Sequence, residues 1–314
     1  MRRIIWTALA LLVAAFGATI ARADAASDRL RMAFYDYDPD LKLAAVVGPA
    51  PVLKNESKRQ TELRRRNRVE FTSAHDQRVT AILTLPLAGA KPYPAMVLLA
   101  GSGGHKDTDY IRLVADMLAG MGCASISIDA QYHGERSRKD RSGDIHLINE
   151  TTSRDAWVQT VIDLRRAVDF LCSRPEVDKA RIGYLGFSQG GMIGATFLGV
   201  EPRIRAAVLA VAGGGLADWG AKLGLTASPR MTANAEIVEP TLHIGRFAPR
   251  PLLMLSAKRD ELIPASATEA LYAAAGEPKK LIWYNAGHIL TPSALVVDAR
   301  QFILREVIGG PAAR

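Results

Sequence analysis

Three side chains stand in the types and the order that turn a hydroxyl into a nucleophile: Ser188, Asp260 and His288. Ser188 lies in Gly186-Phe187-Ser188-Gln189-Gly190, a G-x-S-x-G pattern. An apolar run of strand type, residues 182–185, precedes it, and an apolar helical run, residues 192–198, follows. Strand, sharp turn and helix are the context in which this pattern exposes a serine at the apex of a strained turn. The neighbours two before and two after need almost no side chain, because strand and helix approach closely there. Gly186 and Gly190 meet that demand. The hydroxyl then stands at the N-terminus of a helix, where the dipole favours developing negative charge.

A serine needs a base at neutral pH, and the base needs an acid to orient it. With a nucleophile on such an elbow the partners follow in chain order, serine, acid, histidine. Of six histidines only His288 lies after every plausible acid at a strand end; it sits in Asn285-Ala286-Gly287-His288, directly after a strand over 280–284. His243 precedes the penultimate strand and fits poorly. Asp260, four residues past a buried strand at 252–256, is the best acid, and the adjacent Glu261 could substitute. The oxyanion requires two backbone donors. One is expected from the amide of Gln189, the residue after the nucleophile. The other is expected from Gly101-Ser102-Gly103-Gly104, a loop with little side chain after the strand at 94–99; Ser102 is favoured, with Gly103 as the alternative.

The elements that hold these residues alternate. Residues 69–73 and 79–87 read as an antiparallel pair around the turn 74–77. Buried strands are then expected at 94–99, 123–128, 182–185, 204–211, 252–256 and 280–284, with helices at 107–121, 151–173, 192–198, 264–275 and 292–308. That alternation predicts an α/β fold with a mostly parallel sheet covered by helices on both faces. The domain is expected over residues 69–314, with an insertion at about 213–247 over the site. Residues 24–68 are expected to form an extended or partly helical arm without chemistry, its basic cluster (Lys58-Arg59 and Arg64-Arg65-Arg66) a solvated leader.

The first 23 residues read as a signal peptide: Arg2 and Arg3, an apolar stretch over 4–20, then Ala21-Arg22-Ala23 as cleavage site. Cleavage would leave no stable membrane anchor and place the protein in the periplasm or outside the cell. It would lower the formal charge from +8 to +5 by removing three arginines. No basic–aromatic interleaving suggests nucleic acid. The chain has two cysteines, Cys123 and Cys172, and no metal-ligand spacing, so neither metal nor other cofactor is expected. The pair is read as free thiols or as a disulfide, which export would permit.

On these residues the chain resembles an α/β-hydrolase of the dienelactone hydrolase-like and acetyl xylan esterase-like branch. The resemblance runs from about Val69 to Ile308. It rests on the Gly101–Gly104 loop, Asp129 with His133-Gly134-Glu135-Arg136-Ser137, Gly186-Phe187-Ser188-Gln189-Gly190-Gly191, Ala248-Pro249-Arg250-Pro251 with Asp260 following, and Gly287-His288. It implies an eight-stranded sheet and a hydrolytic triad. Two positions depart from the pattern: Ala100 replaces the usual histidine before the oxyanion glycine, and Ser188 stands where dienelactone hydrolases carry cysteine. His133, in a family-like loop, either lines the pocket or is structural. The implied activity is a secreted serine hydrolase that cleaves a carboxylic ester, on a small-molecule or carbohydrate substrate, through an acyl-enzyme. A serine peptidase of the prolyl-oligopeptidase type and a catalytically silent scaffold used for binding are the competing readings. Neither substrate identity nor oligomeric state is legible.

Overall fold

A computed structural model describes residues 26–53, 56–144, 152–216, 229–291 and 294–309. Nine strands form one sheet: β1 (Val46–Pro49), β2 (Arg64–Thr72), β3 (Arg78–Pro86), β4 (Tyr93–Leu99), β5 (Ala124–Ile128), β6 (Val177–Phe187), β7 (Ile204–Ala210), β8 (Leu252–Ala257) and β9 (Lys279–Tyr284). Their order is β1-β2-β3-β5-β4-β6-β7-β8-β9. The pairs from β5 to β9 are parallel, and β1, β2 and β3 extend the sheet antiparallel from β5. Every residue of β4, β5 and β8 is buried. Burial on both faces suits strands of a parallel sheet covered on each side, and β4 is apolar throughout.

The helices are α1 (Lys58–Leu63), α2 (Asp109–Gly120), α3 (Thr152–Ser173), α4 (Gln189–Val200), α5 (Pro229–Val238), α6 (Pro240–His243) and α7 (Ala265–Ala274), followed by a helical stretch over residues 294–308. Successive strand side chains point to opposite faces. On one face Met96, Leu98, Leu185, Val208 and Leu255 meet Ile111, Val114 and Leu118 of α2 and Phe302, Ile303 and Val307 of the C-terminal stretch. Tyr184 points the other way, against Phe197 of α4, and Phe71 stacks on Phe170 of α3. Helices therefore cover both faces of a mostly parallel sheet, the α/β-hydrolase architecture expected from the sequence.

Two compact units are distinguished. Met1–Asp36 includes a helix over residues 26–33, and Tyr37–Arg314 holds the sheet. The expected signal peptide lies outside the described residues, as does the stretch 217–228 of the expected insertion. Among the described residues no helix is long and apolar enough to cross a membrane.

The reading of residues 24–68 as an arm ahead of the domain is corrected. Within the larger unit, β1 adds a ninth strand where eight were expected, and residues 64–68 are the first half of β2 rather than a solvated leader. The charges mislead because their partners are distant in sequence. Arg64, with only 2% of its side chain exposed, is bound by Glu56 and Asp116; Arg66 is bound by Asp107, and Arg68 reaches Glu135. An arginine stem also covers apolar surface while its head is paired, so a cationic run can fill strand positions. Residues 37–43 are fastened in the same way: Tyr37 donates to Asp169 at 2.9 Å, and Arg166 donates to the Leu41 carbonyl at 2.6 Å. Both cysteines are free thiols, Cys123 buried immediately before β5 and Cys172 half-buried at the end of α3, and burial pushes both thiols up.

Candidate active site

The turn between β6 and α4 is built by exclusion of side chains. A Cβ on Gly186 would stand 2.4 Å from the Gly190 carbonyl oxygen; one on Gly190 would stand 2.4 Å from the Ala100 oxygen and 2.5 Å from that of Leu99. Strand, helix and the end of β4 thus meet through bare backbone. Tyr184 locks the contact by donating its hydroxyl to the Gly190 carbonyl at 2.6 Å. Ser188 sits at the apex with φ 51° and ψ −120°, a conformation that costs a non-glycine residue roughly 1–3 kcal/mol. Its amide is held by the Ala210 carbonyl at 2.8 Å, and its own carbonyl accepts from Met192 at 3.0 Å.

The three sequence-predicted chemical side chains converge. His288 Nε2 lies 2.9 Å from Ser188 Oγ, and His288 Nδ1 lies 2.9 Å from both carboxylate oxygens of Asp260. A carboxylate only accepts, so Nδ1 carries the proton and Nε2 presents its lone pair to the serine hydroxyl. Asp260 leads from the end of β8 and His288 from the end of β9, adjacent parallel strands that deliver both loops to one edge of the sheet. The Asp260 carboxyl is held below its ordinary range. Burial raises it, but the His288 bond and the amides of Ile263 and Leu262, at 2.8 and 2.9 Å, outweigh that.

Glu261, the alternative acid, does a different job. It accepts the backbone amide of His288 at 3.1 Å, so the two neighbouring carboxylates hold one histidine by its ring and by its backbone. His243 is buried far from this chemistry in sequence and bonds the Ile237 carbonyl at 2.8 Å.

The loop 101–104 lies against the serine: a Cβ on Gly101 would meet that of Ser188 at 3.1 Å. The Gly101 amide donates to the Tyr110 hydroxyl at 3.0 Å, Gly104 donates to the Gly101 carbonyl at 3.0 Å, and Gly103 donates to Asp144 Oδ1 at 2.9 Å. Among the described residues the Ser102 amide has no partner. That separates Ser102 from Gly103, the alternative donor, whose amide is already engaged. The Ser102 hydroxyl bonds the side chain of Gln189, the first residue of α4.

Sequence reasoning missed Tyr110, Asp144 and the buried Lys106–Asp129 pair. Asp129 is fully buried and accepts from Lys106 Nζ at 2.6 Å, Thr80 at 2.7 Å and the Glu135 amide at 3.1 Å. Asp129 and Gly134 both stand in the loop that carries the resemblance, but their contact could not be read from it: a Cβ on Gly134 would fall 2.2 Å from Asp129 Oδ1. His133 is buried and bonds Asp144 rather than opening to solvent. Among the described residues no group of three or more His, Cys, Asp or Glu is arranged to hold a metal ion.

A serine at a strand-to-helix elbow, with partners from the ends of the next strands of a mostly parallel sheet, defines an α/β-hydrolase. Residues 32–214, more than half of the chain, match the acetyl xylan esterase (AXE1) family, and the chain belongs to that family. It is a carboxylic ester hydrolase, serine-type by family. The match begins well ahead of Val69, in keeping with the strands found there, and ends before Asp260 and His288. Among solved structures the chain is similar to the acetyl xylan esterase of Paenibacillus sp. R4, with TM-score 0.72 and 20% identity over 89% of this chain and 93% of that one. It is also similar to acetyl xylan esterase 1 of a Thermoanaerobacterium species, with TM-score 0.69 and 18% identity over 88% and 92%. Both likenesses concern the fold. An uncharacterised protein of Mycobacterium tuberculosis is 26% identical over 225 residues, 69% of this chain and 72% of its own length.

Proposed function

We propose that the protein is an exported esterase that removes small acyl groups from a carbohydrate or small-molecule ester through a Ser188–His288–Asp260 triad. The observation that carries the reading is the unbroken line of contacts, each 2.9 Å, from Ser188 Oγ through the His288 ring to Asp260. Ser188 Oγ attacks the ester carbonyl carbon while His288 Nε2 takes the hydroxyl proton. The carbonyl oxygen becomes an oxyanion, received by the amides of Ser102 and Gln189. His288 passes its proton to the leaving alkoxide, which departs as the alcohol and leaves an acyl group on Ser188. Water, activated by the same ring, releases the acid. Asp260 stays ionised and supports the imidazolium that forms in each half.

The acetyl preference is carried by the family and by the names of its structural relatives. Export rests on the leader pattern at residues 1–23, and N-terminal sequencing of secreted protein that began at Met1 would remove it. The enzymatic reading is tested with a panel of p-nitrophenyl esters of rising acyl length beside peptide amides. Hydrolysis of acetate ahead of longer esters, abolished in Ser188→Ala, is expected. Cleavage of amides but not esters would favour the peptidase, and no turnover of either the scaffold.

A further inference from the structure

We propose that Asp144, held by His133, is a positioning residue for the oxyanion loop: its carboxylate fixes the Gly103 peptide so that the Ser102 amide is left for the substrate oxygen. The proposal rests on the reading of Ser188 as nucleophile and Ser102 as oxyanion donor.

The four residues of the loop are not fixed in the same way. Gly101 is wedged, with Ser188 Cβ at 3.1 Å and the Phe187 oxygen at 3.2 Å from where its Cβ would be. Gly104 is crowded by Ala100 and the Tyr110 hydroxyl, each 2.8 Å away on the same measure. A Cβ on Gly103 would meet nothing within 4 Å, and the residue adopts φ +68°, so no side-chain wedge fixes this position as it does its neighbours. The bond to Asp144 Oδ1 at 2.9 Å does. Peptide units are planar. The unit carrying the Ser102 amide is tied at its carbonyl end by Gly104, and the next unit is tied at its amide by Asp144. With both planes set, the Ser102 amide has one direction.

Asp144 is itself built in. His133 Nε2 lies 2.8 Å from Asp144 Oδ1 and His133 Nδ1 lies 3.0 Å from the Gln131 carbonyl, on a side chain only 6% exposed. The ring is thus held between a backbone carbonyl and the Asp144 carboxylate, both acceptors. A second tie runs beside it. The Gln189 side chain donates to the Gly143 carbonyl at 2.7 Å and accepts from the Ser102 hydroxyl. A Cβ on Gly143 would stand 2.3 Å from the Gln131 oxygen, so that residue is pressed onto the segment 129–144 that carries His133 and Asp144, the strap. The residue that offers the second oxyanion amide thus also joins the strap to the loop that offers the first.

The test measures kcat and KM for p-nitrophenyl acetate, with thermal unfolding, in wild type, Ser188→Ala, Asp144→Ala, Asp144→Asn and His133→Phe. A whole oxyanion donor is worth about 10²–10³-fold in kcat. Loss of its positioning in Asp144→Ala should lower kcat roughly 10–100-fold and leave KM within about threefold. Asp144→Asn keeps an acceptor for the Gly103 amide and should recover to within about fivefold of wild type. His133→Phe keeps the volume, removes both bonds, and should lower kcat about tenfold; it decides the matter if Asp144→Ala does not fold. Wild-type kcat in folded Asp144→Ala or His133→Phe, with Ser188→Ala inactive, overturns the proposal and leaves the triad standing. Equal losses in the alanine and asparagine variants, or losses confined to KM, also overturn it. An active Ser188→Ala removes the triad, and the proposal with it.

Discussion

The elbow at 186–191 and the strap at 129–144 flank the same serine and are held by opposite means. The elbow is shaped by what is missing: backbone meets backbone at Gly186 and Gly190, across the turn itself and against the Leu99 and Ala100 carbonyls at the end of β4. The strap is shaped by what is present. Asp129, Lys106, Glu135 and Arg68 form one ion-paired chain, and Arg136 donates to Asp163 at 2.6 Å and to the Asp129 carbonyl at 3.1 Å. Its parts come from β2, the loop after β4, α3 and the strap itself. A contact made of backbone exclusion tolerates no added atom. A contact made of side-chain bonds loses strength one bond at a time. The elbow should therefore fail abruptly and the strap by degrees.

The largest effect expected is chemical. Ser188→Ala and His288→Ala should each lower kcat by roughly 10⁴-fold or more, with unfolding temperature little changed, because neither side chain belongs to the buried core. Asp260→Asn should lose about 10³–10⁴-fold, since an amide can hold the wrong tautomer of His288. Assay of the three with one ester checks this; if Asp260→Asn keeps most of the activity, Asp260 is not what orients the ring. Glu261→Gln keeps an acceptor for the His288 amide and should cost only a few-fold.

Steric changes come next and separate the two regions directly. Gly190→Ala puts a methyl against two fixed backbone oxygens, whereas Gly134→Ala puts one against the Asp129 carboxylate at φ +55°. Overpacking of this kind costs roughly 1–3 kcal/mol, and the backbone case should lie at or above the upper end. Chemical denaturation of the two variants measures the order. A mild Gly190→Ala would contradict the account of the elbow.

The smallest effect concerns acid. The Arg68 bond, then Lys106, outweigh burial and hold the Glu135 carboxyl down at about 2, against an ordinary value of 4.5. A carboxyl depressed in the folded state contributes stability that is present above pH 4.5 and is lost as pH falls towards 2. Its side chain is 42% exposed, so solvent screening keeps the contribution small, within about 1 kcal/mol. Unfolding of Glu135→Gln against wild type should show a difference at pH 6 that shrinks towards pH 3. A constant difference would locate the effect outside ionisation.

The same contrast explains what was legible in the sequence. The elbow reads directly, because G-x-S-x-G between an apolar strand and an apolar helix states its own geometry. His288 and Asp260 read through chain order and strand ends, and both stand at the ends of adjacent parallel strands. Residues 64–68 did not read as a strand, because period-2 alternation is invisible in a run of arginines whose carboxylates lie up to 67 positions away. Asp144 did not read for the same reason: its bond to Gly103 spans 41 positions and leaves no local pattern.

The central claim is that Ser188 is the nucleophile, and the most direct measurement is covalent. The intact protein is titrated with a fluorophosphonate, residual activity on p-nitrophenyl acetate is followed, and the adduct is mapped by peptide mass spectrometry. The account predicts one adduct per chain, on Ser188, with activity lost in proportion to labelling. Complete inactivation with Ser188 unmodified, or full labelling of Ser188 with activity retained, would contradict it.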